Sequence, residues 1–429
     1  LRLEGGYMSP TQDIYRLQSD LHVGGSLTIG RAAFDANGFQ TTVDGFTALT
    51  GGSVLTPYSP GYDGAAYYAR TGDQHFNGGL SLGYRANFYG GTGTVDVKNY
   101  LTVSTANFYA PSILNLYGAQ NYFQWFNDIA GKFDPGTGTV NFLGSGPQTL
   151  RFDSYIDFYN LNVNLADRQA LTIDSSIGGV RVGGDLNLAD GLLSSINAWR
   201  PSVLVSGDVT VKPGFDGGNM PLGFSGAAPG FHNFDLTGAE DRFDASIWTN
   251  GEVRLLSNLI MDAPEQHLSI GSGILDSNHH DISLTGNWTN SGGTFLGTDA
   301  TVRMIGTNQK VLGNTTFHNF SKVTDKADTL SFESLSTQTF TGTLELQGSV
   351  GGVLSLRSWR QGYPEGYQAY IDPQGARVTG YLDVKDNSNM NTVDVACTNN
   401  CVDSGNNVKW IFKLPEPAPA PAPEQTPGQ

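Results

Sequence analysis

Cys397 and Cys401 are the only cysteines in the 429 residues, held in Cys397-Thr398-Asn399-Asn400-Cys401. Zinc needs further sulfur or nitrogen ligands nearby and no histidine lies close, so the pair is expected to close a small loop as a disulfide. That points to an oxidising, extracytoplasmic compartment. Just upstream, Asp383, Asp386, Asn387, Asn389, Asn391 and Asp394, with Asp403 beyond, concentrate the oxygen ligands that hard cations take. Asp383, Asp386, Asn389 and Asp394 are the residues that would hold Ca²⁺. Their spacing lacks the glycine and terminal glutamate of an EF-hand loop and favours a hydrogen-bonded Asn/Asp turn. No other cofactor is implied. His279-His280-Asp281 holds the one adjacent histidine pair. Neighbouring residues of a strand face opposite sides, so the pair could share a metal only at a bulge, and a turn between strands is its expected place.

Nucleophile chemistry has little to stand on. No Gly-x-Ser-x-Gly elbow joins a strand to a helix, and Gly90-Gly91-Thr92-Gly93 lacks the helix and lysine of a phosphate loop. Arg151, Arg168, Arg181, Arg254, Arg303 and Lys310 lie scattered and fall into no repeated cluster with acids. Tyr122 and Trp125, in Asn121-Tyr122-Phe123-Gln124-Trp125-Phe126, could stack on a glycan, although rings that fill or cap a wide coil are the favoured explanation of such a cluster. The net charge of -16 and pI near 4.7, without a basic run, exclude binding to nucleic acid, which needs Lys and Arg against phosphates. No apolar run is long enough to span a membrane. Leu1-Arg2-Leu3-Glu4-Gly5-Gly6 is no signal peptide, so an exported protein would carry its signal upstream or have lost it.

The elements that must position these residues are short strands. One phrase, glycine followed by two apolar residues separated by a polar one, recurs as Gly25-Ser26-Leu27-Thr28-Ile29, Gly78 to Leu82, Gly184-Asp185-Leu186-Asn187-Leu188, Gly207-Asp208-Val209-Thr210-Val211 and Gly342-Thr343-Leu344-Glu345-Leu346. A second recurs as Phe158-Tyr159-Asn160-Leu161, Phe231-His232-Asn233-Phe234 and Phe317-His318-Asn319-Phe320. Charged residues are only 15% and glycines number 56, so turns come every few residues and helical stretches are missing. The fold expected is all-β: an elongated parallel β-helix (β-solenoid), in which similar coils stack and none needs a core of its own. Leu27, Ile29, Leu186, Leu188, Val209, Val211, Leu344 and Leu346 should point inward, and coils of about 20 to 25 residues rising near 4.8 Å give a rod roughly 80 Å long. A chain of β-sandwiches would need evenly spaced, self-contained repeats, which the copies at Asn160, Asn233 and Asn319 do not form.

Composition divides the chain into an aromatic-rich N-terminal β region over 1–130, serving as first coils or cap, regular repeats over 131–350, a C-terminal closing module over 351–413, and a Pro-rich tail over 414–429 that favours an extended polyproline spacer. Within the middle part, Gly138-Thr139-Val140-Asn141-Phe142-Leu143-Gly144 through Asn160 matches Ala300-Thr301-Val302-Arg303-Met304-Ile305-Gly306 through Asn319, and the stretch around Gly223 and Asn233 is a reduced third copy. Asn287, Asn314 and Asn319 head glycosylation-type triplets, although Asn319 reads better as a turn residue.

Those matched copies, with Gly286-Asn287-Trp288-Thr289-Asn290-Ser291-Gly292-Gly293-Thr294-Phe295 and the closing Val402-Asp403-Ser404-Gly405-Asn406-Asn407-Val408-Lys409-Trp410, make residues 131 to 412 resemble the long secreted and cell-surface repeat proteins of bacteria called adhesin-like. The first 130 residues depart from the pattern. The resemblance implies a right-handed parallel β-helix on an extracellular or cell-surface protein. The function expected is structural or adhesive, as a fibre-forming subunit or stalk that meets surface glycans, other copies of itself, or further domains of the same polypeptide through its open strand edges. The alternative is a carbohydrate-active β-helix enzyme, a polysaccharide lyase or hydrolase.

Overall fold

The computed structural model describes residues 1–5, 13–50, 64–124, 131–197, 201–226, 230–242, 246–362 and 366–412. It contains no helix among them, and its strands form parallel ladders amounting to about 16 turns of a β-solenoid. The chain divides into two compact units, Leu1–Gly306 and Thr307–Gln429. The Pro-rich tail and Trp125 lie outside the described residues.

In the first unit most coils carry three short strands. One such coil runs through Thr94–Val97, Tyr100–Ser104 and Asn107–Tyr109, and the next through Ile113–Leu116, Gln120–Gln124 and Lys132–Asp134. Corresponding strands pair in register: Val95 with Leu114, Val103 with Phe123, Phe108 with Phe133. Every second residue therefore points inward and meets its own equivalent from the coils on either side. All eight expected core residues are buried, none more than 1% exposed. Each fully buried aliphatic or aromatic side chain contributes about 1.5–3 kcal/mol, several times the net worth of a single hydrogen bond, so the inward columns dominate the stability of the coil stack.

The aromatic-rich N-terminal region follows the same ladder. Phe34, Tyr67, Phe88, Phe108 and Phe133 form an inward ring column with successive centroids 4.9, 5.1, 4.8 and 5.8 Å apart. The sequence reads 1–130 as irregular because rings replace aliphatic residues in the column, while the pairing passes unbroken from Asn107–Tyr109 to Lys132–Asp134. In the second unit the ladder likewise carries across residue 350, from Asp328–Glu333 to Leu354–Trp359 and on to Leu382–Val384.

The two recurring phrases lock onto each other. Phe158 ends one strand and Asn160 begins the next, so the second phrase is a corner with Phe158 and Leu161 both inward. The Asn160 side-chain oxygen accepts the Asp185 amide at 2.9 Å, one coil on, and Asn319 accepts the Thr343 amide at 2.8 Å. Asn319 thus starts a strand, Asn319–Val323, where the sequence suggests a turn residue. The first phrase needs glycine for the same reason: a Cβ on Gly184 would lie 2.4 Å from Asn160 Oδ1, and one on Gly342 would lie 2.5 Å from Asn319 Oδ1. The third copy breaks the pattern. His232 is buried in the strand His232–Asp235, and Asn233 donates to Asp208 in the preceding coil at 3.1 Å instead of accepting from the following one.

Gly184→Ala should therefore cost about 1–3 kcal/mol through overpacking, and Asn160→Ala about 1 kcal/mol through the lost hydrogen bond. The double variant should cost clearly less than the sum, because removing the amide makes room for the new methyl group. Urea unfolding of the three variants checks this, and strict additivity contradicts the docking of the two phrases.

Candidate functional site

On the outside of the first unit, the strands Ile156–Phe158, Val180–Val182, Val203–Val205, Leu222–Phe224 and Ile247–Thr249 stack in parallel. Their first and third residues face in, so the middle ones line up outward as Asp157, Arg181, Leu204, Gly223 and Trp248. Arg181 grips Asp157 in a two-pronged ion pair, Nε to Oδ1 at 2.5 Å and Nη2 to Oδ2 at 2.8 Å, with both side chains about half exposed. The guanidinium carbon lies 5.0 Å from the Tyr155 ring centre. Tyr155 is 53% exposed and Tyr159, at the opposite end of the same strand, 39%. The Tyr159 ring lies beside the pair Gly183-Gly184, where Cβ atoms would sit 4.0 and 3.3 Å from its carbons. A Cβ on Gly223 would meet the Trp248 indole at 2.2 Å, so that ring also rests directly on glycine backbone.

Two surface grooves of about 490 Å³ each lie on this face, one of them lined by the ion pair itself. One is bordered by Tyr159, Leu204, Ser206 and Ser225, the other by Tyr155, Ile177, Pro201 and Ser202. Ser206 and Ser225 join by a hydroxyl hydrogen bond of 2.7 Å. The face thus offers two exposed phenol rings, a paired cation and carboxylate between them, and hydroxyls at one side.

Elsewhere the outward residues are engaged with one another from coil to coil. Asn115, Asn141, Asn162 and Asn187 form an amide ladder with bonds of 2.8, 3.1 and 2.8 Å, ending on Asp96, which His75 also contacts at 2.9 Å. Tyr68, Tyr89 and Tyr109 stack nearly parallel at 4.7 and 4.9 Å, with Arg70 over one end and Lys132 over the other. Their faces cover one another and only ring edges point out. Tyr122 is half-buried beneath Arg151, 5.2 Å from its ring centre.

The scattered arginines prove to be partnered with acids, contrary to their appearance along the chain, while Lys310 lies over the Trp359 ring, 4.0 Å from its centre. Arg151 pairs with Asp174 at 3.5 Å, Arg168 with Asp216 at 3.8 Å, Arg254 with Asp276 at 2.9 Å and Arg303 with Asp281 at 2.6 Å. Partners 22 or 23 residues apart in sequence, or 48 for Arg168 and Asp216, become neighbours only once the coil length is set. Arg181 and Asp157 were missed for that reason, and so was the role of Tyr159 beside Gly183-Gly184.

Cys397 and Cys401 are joined as a disulfide, with their Cα atoms 5.7 Å apart. The acid-rich stretch does not converge. Asp383 binds Arg357 and Ser404, each at 2.5 Å, while Asp386 accepts from Asn406 at 2.7 Å. Asn389 accepts the Asn391 amide and donates to Val393, and Asp394 is exposed before the strand Val395–Ala396. Among the described residues no three His, Cys, Asp or Glu side chains group to hold a metal ion. His279-His280-Asp281 lies between the strands Ile274–Asp276 and Ile282–Leu284, where His279 takes a left-handed turn conformation and approaches Asp299 at 3.4 Å.

Inside the second unit, Lys322 and Asp328 are almost wholly buried and paired at 2.6 Å, and Lys322 also donates to Gln309 at 3.0 Å. Asp328 accepts the amides of Asn308 and Thr329, each at 2.7 Å, so both charges are satisfied within the coil. Burial pulls the Lys322 ammonium below its ordinary value, against the pull of Asp328.

The fold defines the chain as a parallel β-solenoid. No protein-family model, curated protein or solved structure matches it.

The paired acids make stability depend on pH. Burial raises Asp281, but the Arg303 guanidinium and the Thr301 amide outweigh it and hold the carboxyl below its usual value. Asp383 is held down likewise, burial being outweighed by Ser404 and Arg357, and Asp235 is lowered by the Thr237 hydroxyl and amide. Since these folded carboxyls are more acidic than unfolded ones, their stabilisation is complete above the unfolded range near 4 and is lost as pH falls through the folded values. Tm should drop between about pH 5 and pH 2, and less steeply for Asp281→Asn. A Tm independent of pH over that window contradicts the assignment.

Proposed function

We propose that this chain is an extracellular structural or adhesive surface protein, a fibre-forming subunit or stalk whose stacked coils present their outer faces to glycans or to other copies. The observation that carries this reading is the use of outward polar groups. The amide ladder from Asp96 to Asn187 and the Arg–Asp pairs tie each coil to the next, the arrangement of a stiff, load-bearing scaffold. Its edges support the self-associating part of the proposal. Among the described residues, Arg2–Glu4, Asp13–Arg16 and Leu21–Val23 each pair on one side alone, and Ile14 and Tyr15 are 61% and 40% exposed there. A strand paired on one side alone is where a further coil of the same polypeptide, or another copy, would add.

Immunogold electron microscopy of the producing cells, run beside an assay for reducing or unsaturated sugar ends released from polysaccharides, tests the reading. The expected result is label outside the cell with no sugar release. Cytoplasmic label overturns it, and released sugar ends would instead identify a polysaccharide lyase or hydrolase.

A further inference from the structure

We propose that the outer face framed by Tyr155, Asp157, Tyr159, Arg181 and Leu204 binds a short oligosaccharide, with Tyr159 as its stacking platform and the Arg181–Asp157 pair as its hydroxyl-reading centre. The inference rests on the adhesive reading above and names the ligand class and the residues that would serve it.

Among the described residues Ile156–Phe158 pairs on one side alone, with Val180–Val182, whereas the backbones of Val180–Val182 and Val203–Val205 are taken up on both sides, so a ligand lying across those two strands meets side chains only. An extended peptide, which gains most of its affinity from an open strand edge, finds none there. The net charge of -16 disfavours polyanions. A metal ion finds Asp157 already neutralised by Arg181. A sugar ring presents what the face complements: a patch of C–H groups for an aromatic ring, and an edge of hydroxyls that both donate and accept.

Tyr159 lies against Gly183-Gly184 and remains 39% exposed, which leaves ring surface open to solvent. Tyr68, Tyr89 and Tyr109 cannot act in this way, because their faces are stacked on one another. The strand Ile156–Phe158 is extended and Tyr159 opens the corner after it, so at most about 13 Å of chain separates Tyr155 from Tyr159, the reach of roughly two sugar rings. The ion pair stands midway, so its free guanidinium N–H groups can donate and its carboxylate lone pairs accept from neighbouring hydroxyls of one ring. Leu204, Ser206 and Ser225 border the groove beyond Arg181 and add apolar contact and further hydroxyls.

The test titrates the full chain with the neutral probes cellotriose, maltotriose, mannotriose and xylotriose, read by calorimetry and saturation-transfer NMR. At least one probe should bind, and Tyr159→Ala and Arg181→Met should each weaken it about tenfold or more, the loss expected when an anchoring side chain is truncated. Tyr89→Ala, in the closed outer stack, should leave binding unchanged. Because Arg181→Met also frees Asp157, Leu204→Arg serves as a second variant that fills the groove while keeping both members of the pair, and circular dichroism checks that each variant is folded. Failure of all four probes overturns the inference, as does binding that survives both Tyr159→Ala and Leu204→Arg. A proline-rich peptide that binds and is displaced by none of the sugars also overturns it. Absence of binding by a protein shown to be extracellular sinks this site alone, whereas binding by a protein found in the cytoplasm sinks the adhesive reading alone.

Discussion

In a parallel stack every side chain has its own structural equivalents as nearest neighbours, one coil before and one coil after. Strand spacing fixes their separation at about 4.8 Å, so whatever stands at a position must be compatible with what stands there in the next coil. Inward, this builds the ring column from Phe34 to Phe133. Outward, it lets Asn115, Asn141, Asn162 and Asn187 hand one hydrogen bond to the next, and it sets Arg181 on Asp157. The same spacing makes glycine obligatory at Gly184, where the Asn160 side chain reaches across to the following backbone.

Two kinds of information in the sequence fared differently. Alternation within a strand is local, so the inward set from Leu27 to Leu346 and the all-β solenoid were legible from the repeats. Contact between coils is not local. Turn lengths vary, and register partners lie as near as Thr94 with Ile113 and as far as Thr47 with Leu80, so no fixed period reveals that Arg254 meets Asp276 or that Tyr159 lies against Gly183. Similarity of phrase also misled at Asn233, where buried His232 shifts the strand and reverses the direction of the asparagine hydrogen bond. The acid-rich stretch from Asp383 to Asp394 looked dense along the chain, but its members pass from one strand to the next and meet different partners.

The interior is not uniformly apolar, and its polar groups obey the same logic. Gln74 donates to the Phe39 and Gly72 carbonyls, and Gln148 to those of Leu116 and Leu143, each closing backbone acceptors at a corner. Lys322 and Asp328 pair inside the second unit, where removing either alone would strand the other and cost about 3–5 kcal/mol. Coil-to-coil bonding of this kind stiffens a scaffold and leaves selected faces free for contact. That division of labour links the interior of the first unit to the aromatic face at Tyr155 and Tyr159.

The central claim is that each coil of the first unit is held by its neighbours and has no independent core. Hydrogen exchange followed by mass spectrometry tests it most directly. If neighbours supply the stability, amides in interior strands such as Thr139–Gly144 and Asn160–Leu165 exchange slowest, and protection falls coil by coil toward Arg2–Glu4 and Asp13–Arg16. Uniform protection along the unit, or a single interior coil that opens while its neighbours stay closed, would contradict the account.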